Sequence, residues 1–179
     1  MAHATWARDP GMSQEETFDP RQFRDALGQF PTGVTVVTAR GGNGEKLGMT
    51  VSSFNSVSLS PPLILWSIDK NSLSFDAFTS AASFAIHVLA ADQSELSRRF
   101  ANRGTDKFAG LANSVGLRGD PILDGYAACF ECDTTATHDA GDHVIIIGRV
   151  LAFTTREKAP LIFHRGRYAE ISDSLASHL

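Results

Sequence analysis

Residues 34–53 read VTVVTARGGNGEKLGMTVSS. Val34 to Thr38 is rich in β-branched residues, which pack well on a pleated surface, so it predicts a strand. Gly41-Gly42-Asn43-Gly44 supplies the residues a tight turn needs. A second strand follows from about Leu47 to Ser53. The glycines also invite a phosphate-loop reading. That reading needs Gly-Lys-Ser/Thr opening a helix, or G-x-G-x-x-G before one. Here a strand follows, so the segment reads as a hairpin.

Outward from the hairpin, strands continue to outnumber helices. Asn55 to Ser58 extends the second strand or forms a short third. Leu63 to Ile68 is almost continuously apolar, which predicts a strand buried on both faces. Asn71-Ser72 is expected to cap a short helix ending near Ser80. Phe84 to Leu89 is another strand. Asp92 and Glu95 form a D-x-x-E signature for a helix to about Phe100. Residues 102–120 are polar and glycine-rich, as a long loop would be. Ala128 to Cys132, Val144 to Phe153 and Leu161 to Tyr168 read as strands. Upstream, Asp19-Pro20 opens a helix with Phe23, Leu27 and Phe30 on one face, ended by Pro31. With no regular βαβ alternation, the expected class is mostly β with α (α+β), an antiparallel barrel with a few peripheral helices.

The 179 residues are 42% hydrophobic and 20% charged, with a net charge of −4. That suits one domain, expected over 18–172, with a disordered leader over 1–17 and a tail over 173–179. The apolar fraction is too high for a disordered chain. An acidic balance argues against nucleic acid as a partner. The longest apolar runs fall far short of the ~20 residues of a membrane span. No apolar signal region precedes Thr17, so a cytoplasmic location with no membrane partner is expected.

Cys129-Phe130-Glu131-Cys132 has the spacing of a metal or redox pair. On a strand, residues three apart point to opposite faces, so the thiols cannot share one ion. No helix starts there to lower a thiol pKa. Buried, inert thiols and no metal site are expected. Hydroxyls on alternate positions of Thr50 to Ser56 could hold a phosphate or the edge of a flat cofactor, or simply face water. Gly141-Asp142-His143 precedes an apolar strand. His143 there is either a surface histidine bonded to its own turn or a ligand at a pocket mouth. His87, inside a core strand, and His138 carry no assigned role. No Gly-x-Ser-x-Gly and no His-Glu-x-x-His occurs, so hydrolytic chemistry has no visible home. An enzyme of this kind would draw its reactivity from a cofactor.

The order of motifs resembles the short flavin reductases, the reductase components of two-component flavin-dependent monooxygenases. The resemblance runs through Phe23 to Thr38, Gly48 to Phe54, Ser56 to Leu63, Arg99-Phe100-Ala101, Gly141-Asp142-His143, Pro160 to Ile162 and Gly166 to Tyr168, covering about residues 19–170. It implies a flavin-binding split β-barrel, usually a homodimer with the flavin near the subunit interface. It implies that Thr50, Val51, Ser52 and Ser53 line the flavin. Ser67, Ile68 and Ser72 would lie near the ribityl phosphate, with Ser72 capping a helix. Phe100 and Ala101 would close over the flavin, and Thr32 and Gly33 would approach it closely. His143 would sit by the nicotinamide, with Arg165 and Tyr168 as weaker candidates for the dinucleotide. Many relatives carry a basic residue where this chain has Gln29.

The activity so implied is hydride transfer from NADH or NADPH to FAD or FMN, with reduced flavin passing to a partner monooxygenase. No protein nucleophile is required, and stacking and distance do most of the work. Rival expectations on the same barrel are a reductase acting on a corrinoid, a pyridoxamine-phosphate-type oxidase, and a non-enzymatic flavin- or haem-binding module.

Overall fold

The computed structural model describes residues 19–171 except Thr105, so the expected leader and tail lie outside the described residues. In chain order, α1 spans Pro20–Leu27, β1 Thr32–Gly33, β2 Thr35–Arg40, β3 Lys46–Val51, β4 Asn55–Leu59 and β5 Pro62–Asp69. Next come α2 at Phe75–Thr79, β6 at Ser83–Val88, a 3-10 turn at Ala91–Gln93 and α3 at Ser94–Ala101. The chain finishes with β7 Asn113–Val115, β8 Pro121–Leu123, β9 Ala128–Ala140, β10 His143–Thr155, β11 Ile162–His164 and β12 Arg167–Ala169.

Seven strands form one sheet in the order β3-β2-β6-β9-β10-β5-β4. Each ladder in it is antiparallel. The 34–53 stretch is the hairpin its sequence predicts, with Thr35 opposite Val51 and Arg40 opposite Lys46. The Gly41 N–H donates to the Glu45 carbonyl at 3.0 Å, and Gly44 turns the chain at φ +85°. That left-handed angle favours glycine.

The sheet is open, since β3 and β4 stand at opposite edges without a ladder between them. It nevertheless curls around a core, because Leu47 of one edge shares a cluster with Ile64, Trp66 and Ile68 of β5. The β3–β4 connection is stitched to β5 by one side chain. Ser53 Oγ accepts the Ser67 N–H at 2.9 Å and lies 3.2 Å from the Ser67 carbonyl. Trp66 is fully buried, with Phe78 and Phe84 edge-on at 5.3 and 5.9 Å. Burying each such side chain contributes roughly 1.5–3 kcal/mol.

Several local expectations shift. On β5, Ile64, Trp66 and Ile68 are buried while Leu63, Leu65 and Ser67, on the other face, are only half-buried. The helix expected from Ser72 begins at Phe75 behind Ser74, and Ser72 Oγ instead accepts the Ser74 N–H at 3.3 Å. The helix expected from Asp92 starts as a 3-10 turn, where Gln93 Oε1 accepts the Ala90 N–H at 3.0 Å. The 102–120 loop contains β7, which pairs with β8. The helix α1 forms as expected, with Asp19 accepting the Arg21 N–H at 2.8 Å, yet it buries none of its residues.

Candidate functional site

Two adjoining cavities gather much of the expected site. The smaller, about 210 Å³, is lined by Val34, Thr50, Val51, Ser52, Ser97, Ala101, Phe163 and Tyr168. Besides Val34, between β1 and β2, three separate parts of the fold meet here. The end of β3 supplies Thr50 and Val51, α3 supplies Ser97 and Ala101, and the β11–β12 hairpin supplies Phe163 and Tyr168. Hydrogen bonds fix the junction: Thr50 Oγ1 donates to the Ser97 carbonyl at 2.7 Å, and Tyr168 O–H donates to Ser97 Oγ at 2.9 Å. The Tyr168 ring packs edge-on to Phe163 at 5.9 Å, and the Arg98 guanidinium lies 5.5 Å from its centroid.

The second cavity, about 400 Å³, shares Thr50 and Ala101 with the first. Its other walls include Met49, Asp69, Asn71, Ser72, Ser74, Phe100, Arg103 and Lys107. Lys107 Nζ donates to the Gly48 and Phe100 carbonyls at 3.1 and 2.9 Å. Partial burial holds the Lys107 pKa below its usual value, since leaving water disfavours the charged form. An aromatic-walled slot opening onto hydroxyls, an amide and two cations suits a flat ring carrying an anionic tail.

Thr50, Val51, Ser52, Ser72, Phe100, Ala101 and Tyr168 therefore come together. Others do not. Ser53 and Ser67 spend their contacts on one another and line neither cavity. The Ile68 side chain belongs to the core. Phe100 is a buried floor rather than a cover, packed edge-on to Phe108 at 5.1 Å. It lies so close under Gly48 that a Cβ there would overlap its ring. Thr32 and Gly33 pair with Phe163 and Ile162 beside the smaller cavity without lining it. Arg165 lines a neighbouring cavity with Arg24, Gly28 and Phe163.

His143 opens β10 opposite Asp69, a wall of the larger cavity, and is itself no lining residue. Its Nδ1 lies 2.7 Å from Asp142 Oδ1, and this bond holds the Asp142 carboxyl below the usual range. Donation from Nδ1 leaves Nε2 facing away from the turn.

Sequence reasoning missed Ser97, Phe163, Asn71, Arg103 and Lys107. Ser97 was legible in principle, lying one helical turn before Phe100 and Ala101 on α3. Lys107 was hidden in a stretch read only as loop.

Cys129 and Cys132 are buried free thiols, in different apolar clusters on opposite faces of β9. Burial pushes each up to about 12. Among the described residues, no group of His, Cys, Asp and Glu side chains could hold a metal ion, and no helix is long and apolar enough to cross a membrane.

Comparison with known proteins shows the family. The family described as flavin reductase like domain matches residues 27–172. The chain is 49% identical over 166 residues to the FMN reductase (NADH) SmoA of Agrobacterium fabrum, covering 90% of this chain and 94% of that protein. It is 41% identical over 162 residues to the reductase subunit HsaB of a flavin-dependent monooxygenase from Rhodococcus jostii, covering 90% and 83%. Among solved structures, the NADH:FAD oxidoreductase SgcE6 of Streptomyces globisporus, in complex with NAD and FAD fragments, superposes with a TM-score of 0.83 at 37% identity. That match covers 88% of this chain and 95% of the other.

Proposed function

Because the chain belongs to the flavin reductase like family, we propose that it oxidises NADH or NADPH, reduces FMN or FAD, and releases the reduced flavin to a partner monooxygenase. The carrying observation is the pair of joined cavities, an aromatic slot continuing into a polar, cationic chamber through Thr50 and Ala101. Flavin fits this donor set: the slot suits its ring, and Ser72, Asn71, Arg103 and Lys107 suit its ribityl hydroxyls and phosphate. Bound flavin supplies the hydride acceptor.

The chain's own residues bind and orient. Val51, Phe163 and Tyr168 exclude water from the slot, which strengthens every polar contact inside it. Ser52 and the backbone donors around it stabilise charge at the ring edge. The Tyr168–Ser97–Thr50 bonds hold these walls at a fixed separation, so two flat reactants can stack at reacting distance. His143, oriented by Asp142, holds the nicotinamide amide or supplies a proton from Nε2. Arg165 and Tyr168 receive the rest of the dinucleotide.

We further infer a homodimer whose curled sheets are the family's split barrels. The support is apolar side chains that one copy leaves bare: Leu27, Phe30, Leu59 and Phe153 are all largely exposed, and such side chains mark protein contacts where they cluster.

The test is loss of nicotinamide absorbance in separate mixtures of protein with NADH or NADPH and FMN or FAD. Flavin-dependent loss is expected. No loss in any mixture, with flavin still bound, would overturn the reading in favour of a binding module.

A further inference from the structure

The ladder between β5 and β10 ends where Asp69 faces His143. One residue carries the contact past that end. Lys70 donates its N–H to the Asp142 carbonyl at 3.0 Å. Its Nζ donates to Asp139 Oδ2 and to the Gly141 carbonyl, each at 2.6 Å. Gly141 and Asp142 form the two-residue turn between β9 and β10, with Gly141 at φ +73°. Glycine at the first position of such a turn lets the strands keep their twist.

These bonds converge on Asp142. A carbonyl oxygen moves with its whole peptide plane, because the peptide bond does not rotate freely. The Gly141 carbonyl belongs to the plane before Asp142, and the Asp142 carbonyl to the plane after it. Lys70 therefore holds both planes that flank the residue whose carboxylate lies 2.7 Å from His143 Nδ1. The ammonium also holds the Asp139 carboxyl below its usual range, through the hydrogen bond first and its charge second. The Lys70 side chain is 35% exposed and that of Asp139 76%. An ion pair so exposed adds little to stability, so its effect lies in geometry.

The neighbours of Lys70 face the flavin chamber. Asp69, Asn71 and Ser72 line it. The Asn71 N–H donates to Asp69 Oδ1 at 2.7 Å and the Ser72 N–H to the Asp69 carbonyl at 2.9 Å, which keeps this turn closed. Lys70, in their midst, reaches the β9–β10 turn instead. We propose that Lys70 is a positioning residue for His143. It ties the histidine's turn to the chamber wall, so the nicotinamide-side group and the flavin keep one spacing. This role rests on the flavin-reductase reading and on the assignment of His143 to the nicotinamide.

Lys70→Met removes the ammonium and leaves the main-chain bond to Asp142, so its melting temperature is expected to stay close to wild type. Two readouts are taken on the full chain. The first is nitrogen NMR of the imidazole rings in flavin-free protein, in mildly alkaline buffer. Wild-type His143 should hold its proton on Nδ1, and Lys70→Met should show a mixture of both tautomers. The second is NADH oxidation at saturating FMN for wild type, Lys70→Met, His143→Ala and the double variant. Lys70→Met should raise KM for NADH about tenfold, as misplacement of a site group does, while the FMN Kd stays within about twofold. Added to His143→Ala, it should change KM by less than about twofold, because its effect passes through the histidine. A wild-type His143 ring spread over both tautomers would overturn the proposal. So would an unchanged ring spectrum or an unchanged KM in Lys70→Met, or an equal rise in KM on both backgrounds. A raised KM in His143→Ala beside a wild-type KM in Lys70→Met would overturn Lys70 alone. Unchanged NADH kinetics in His143→Ala would overturn the assignment of His143 and the role of Lys70 with it. A wild type that consumes no NADH would overturn the reductase reading and this role together.

Discussion

His87 shows how much one side chain can tie together. It is fully buried, with Nδ1 3.1 Å from the Val36 carbonyl and Nε2 3.1 Å from the Leu123 N–H. Nδ1 therefore donates, Nε2 accepts, and the neutral ring bridges β2, β6 and β8. Desolvation lowers its pKa from 6.5 to about 4, opposed only by the Val36 bond. The unfolded chain then binds the extra proton between those values. This contribution to stability is complete above pH 6.5 and is lost as pH falls toward 4, at up to about 1.4 kcal/mol per unit. Thermal melts at pH 7 and pH 5 should show a steeper decline for wild type than for His87→Gln, which can both donate and accept but does not titrate. A second residue-scale expectation concerns Gly48. In Gly48→Ala the new methyl meets the buried Phe100 ring, so a loss of roughly 1–3 kcal/mol is expected from overpacking. Flavin affinity should fall with it, because Phe100 is the chamber floor. A melting temperature within a degree of wild type would contradict this. For His143→Ala, KM for the nicotinamide should rise while the flavin Kd holds; unchanged NADH kinetics would remove His143 from the site.

At the scale of elements, the β11–β12 hairpin is the informative one. Arg165 and Gly166 form its two-residue turn, at φ +50° and +77°, with His164 paired to Arg167. Positive φ at both positions is the turn that best matches strand twist, and it favours Asn or Gly over Arg at the first. The Arg165 N–H also donates to the Gly28 carbonyl at 3.1 Å, tying the end of α1 to this turn. Arg165→Gly should leave the melting temperature unchanged or raise it, while KM for NADH increases. A fall in stability with KM unchanged would make Arg165 purely structural. The sequence made the strands legible because β-branched runs and glycine turns act locally, as residues 34–53 illustrate. It did not reveal how those strands converge. Thr50 and Tyr168 are over a hundred positions apart and meet only because Ser97 bonds to both. Lys107 was illegible for the same reason: its value lies in the Gly48 and Phe100 carbonyls that hold it. Helix starts slipped where Ser, Asp and Gln offered competing caps of similar strength, as at Ser72 and Asp92.

At the scale of the molecule, the bare apolar surface is the dominant fact. Phe54, Phe130 and Phe153 form a run of rings with centroids 5.6 and 6.3 Å apart, ending in an exposed Phe153. Sedimentation should give a dimer at micromolar concentration, and Phe153→Asp should shift it toward monomer with weaker flavin binding. A wild-type monomer would contradict the homodimer. The fold class and family were readable from pattern and motif order. The open edges of the sheet were not, because closure depends on β3 and β4, which a few side-chain bonds such as Ser53 to Ser67 bring into relation.

The two buried thiols bear on how long such a catalyst lasts. Reduced flavin set free in air reacts with oxygen and yields hydrogen peroxide, so a protein of this kind works beside an oxidant of its own making. Peroxide attacks the thiolate, and exposed low-pKa cysteines are its first targets. Cys129 and Cys132, held up at about 12 and turned to opposite faces of β9, are almost wholly protonated, out of reach of solvent and unable to close on one another. The chain carries its two thiols where repeated turnover does not corrode them.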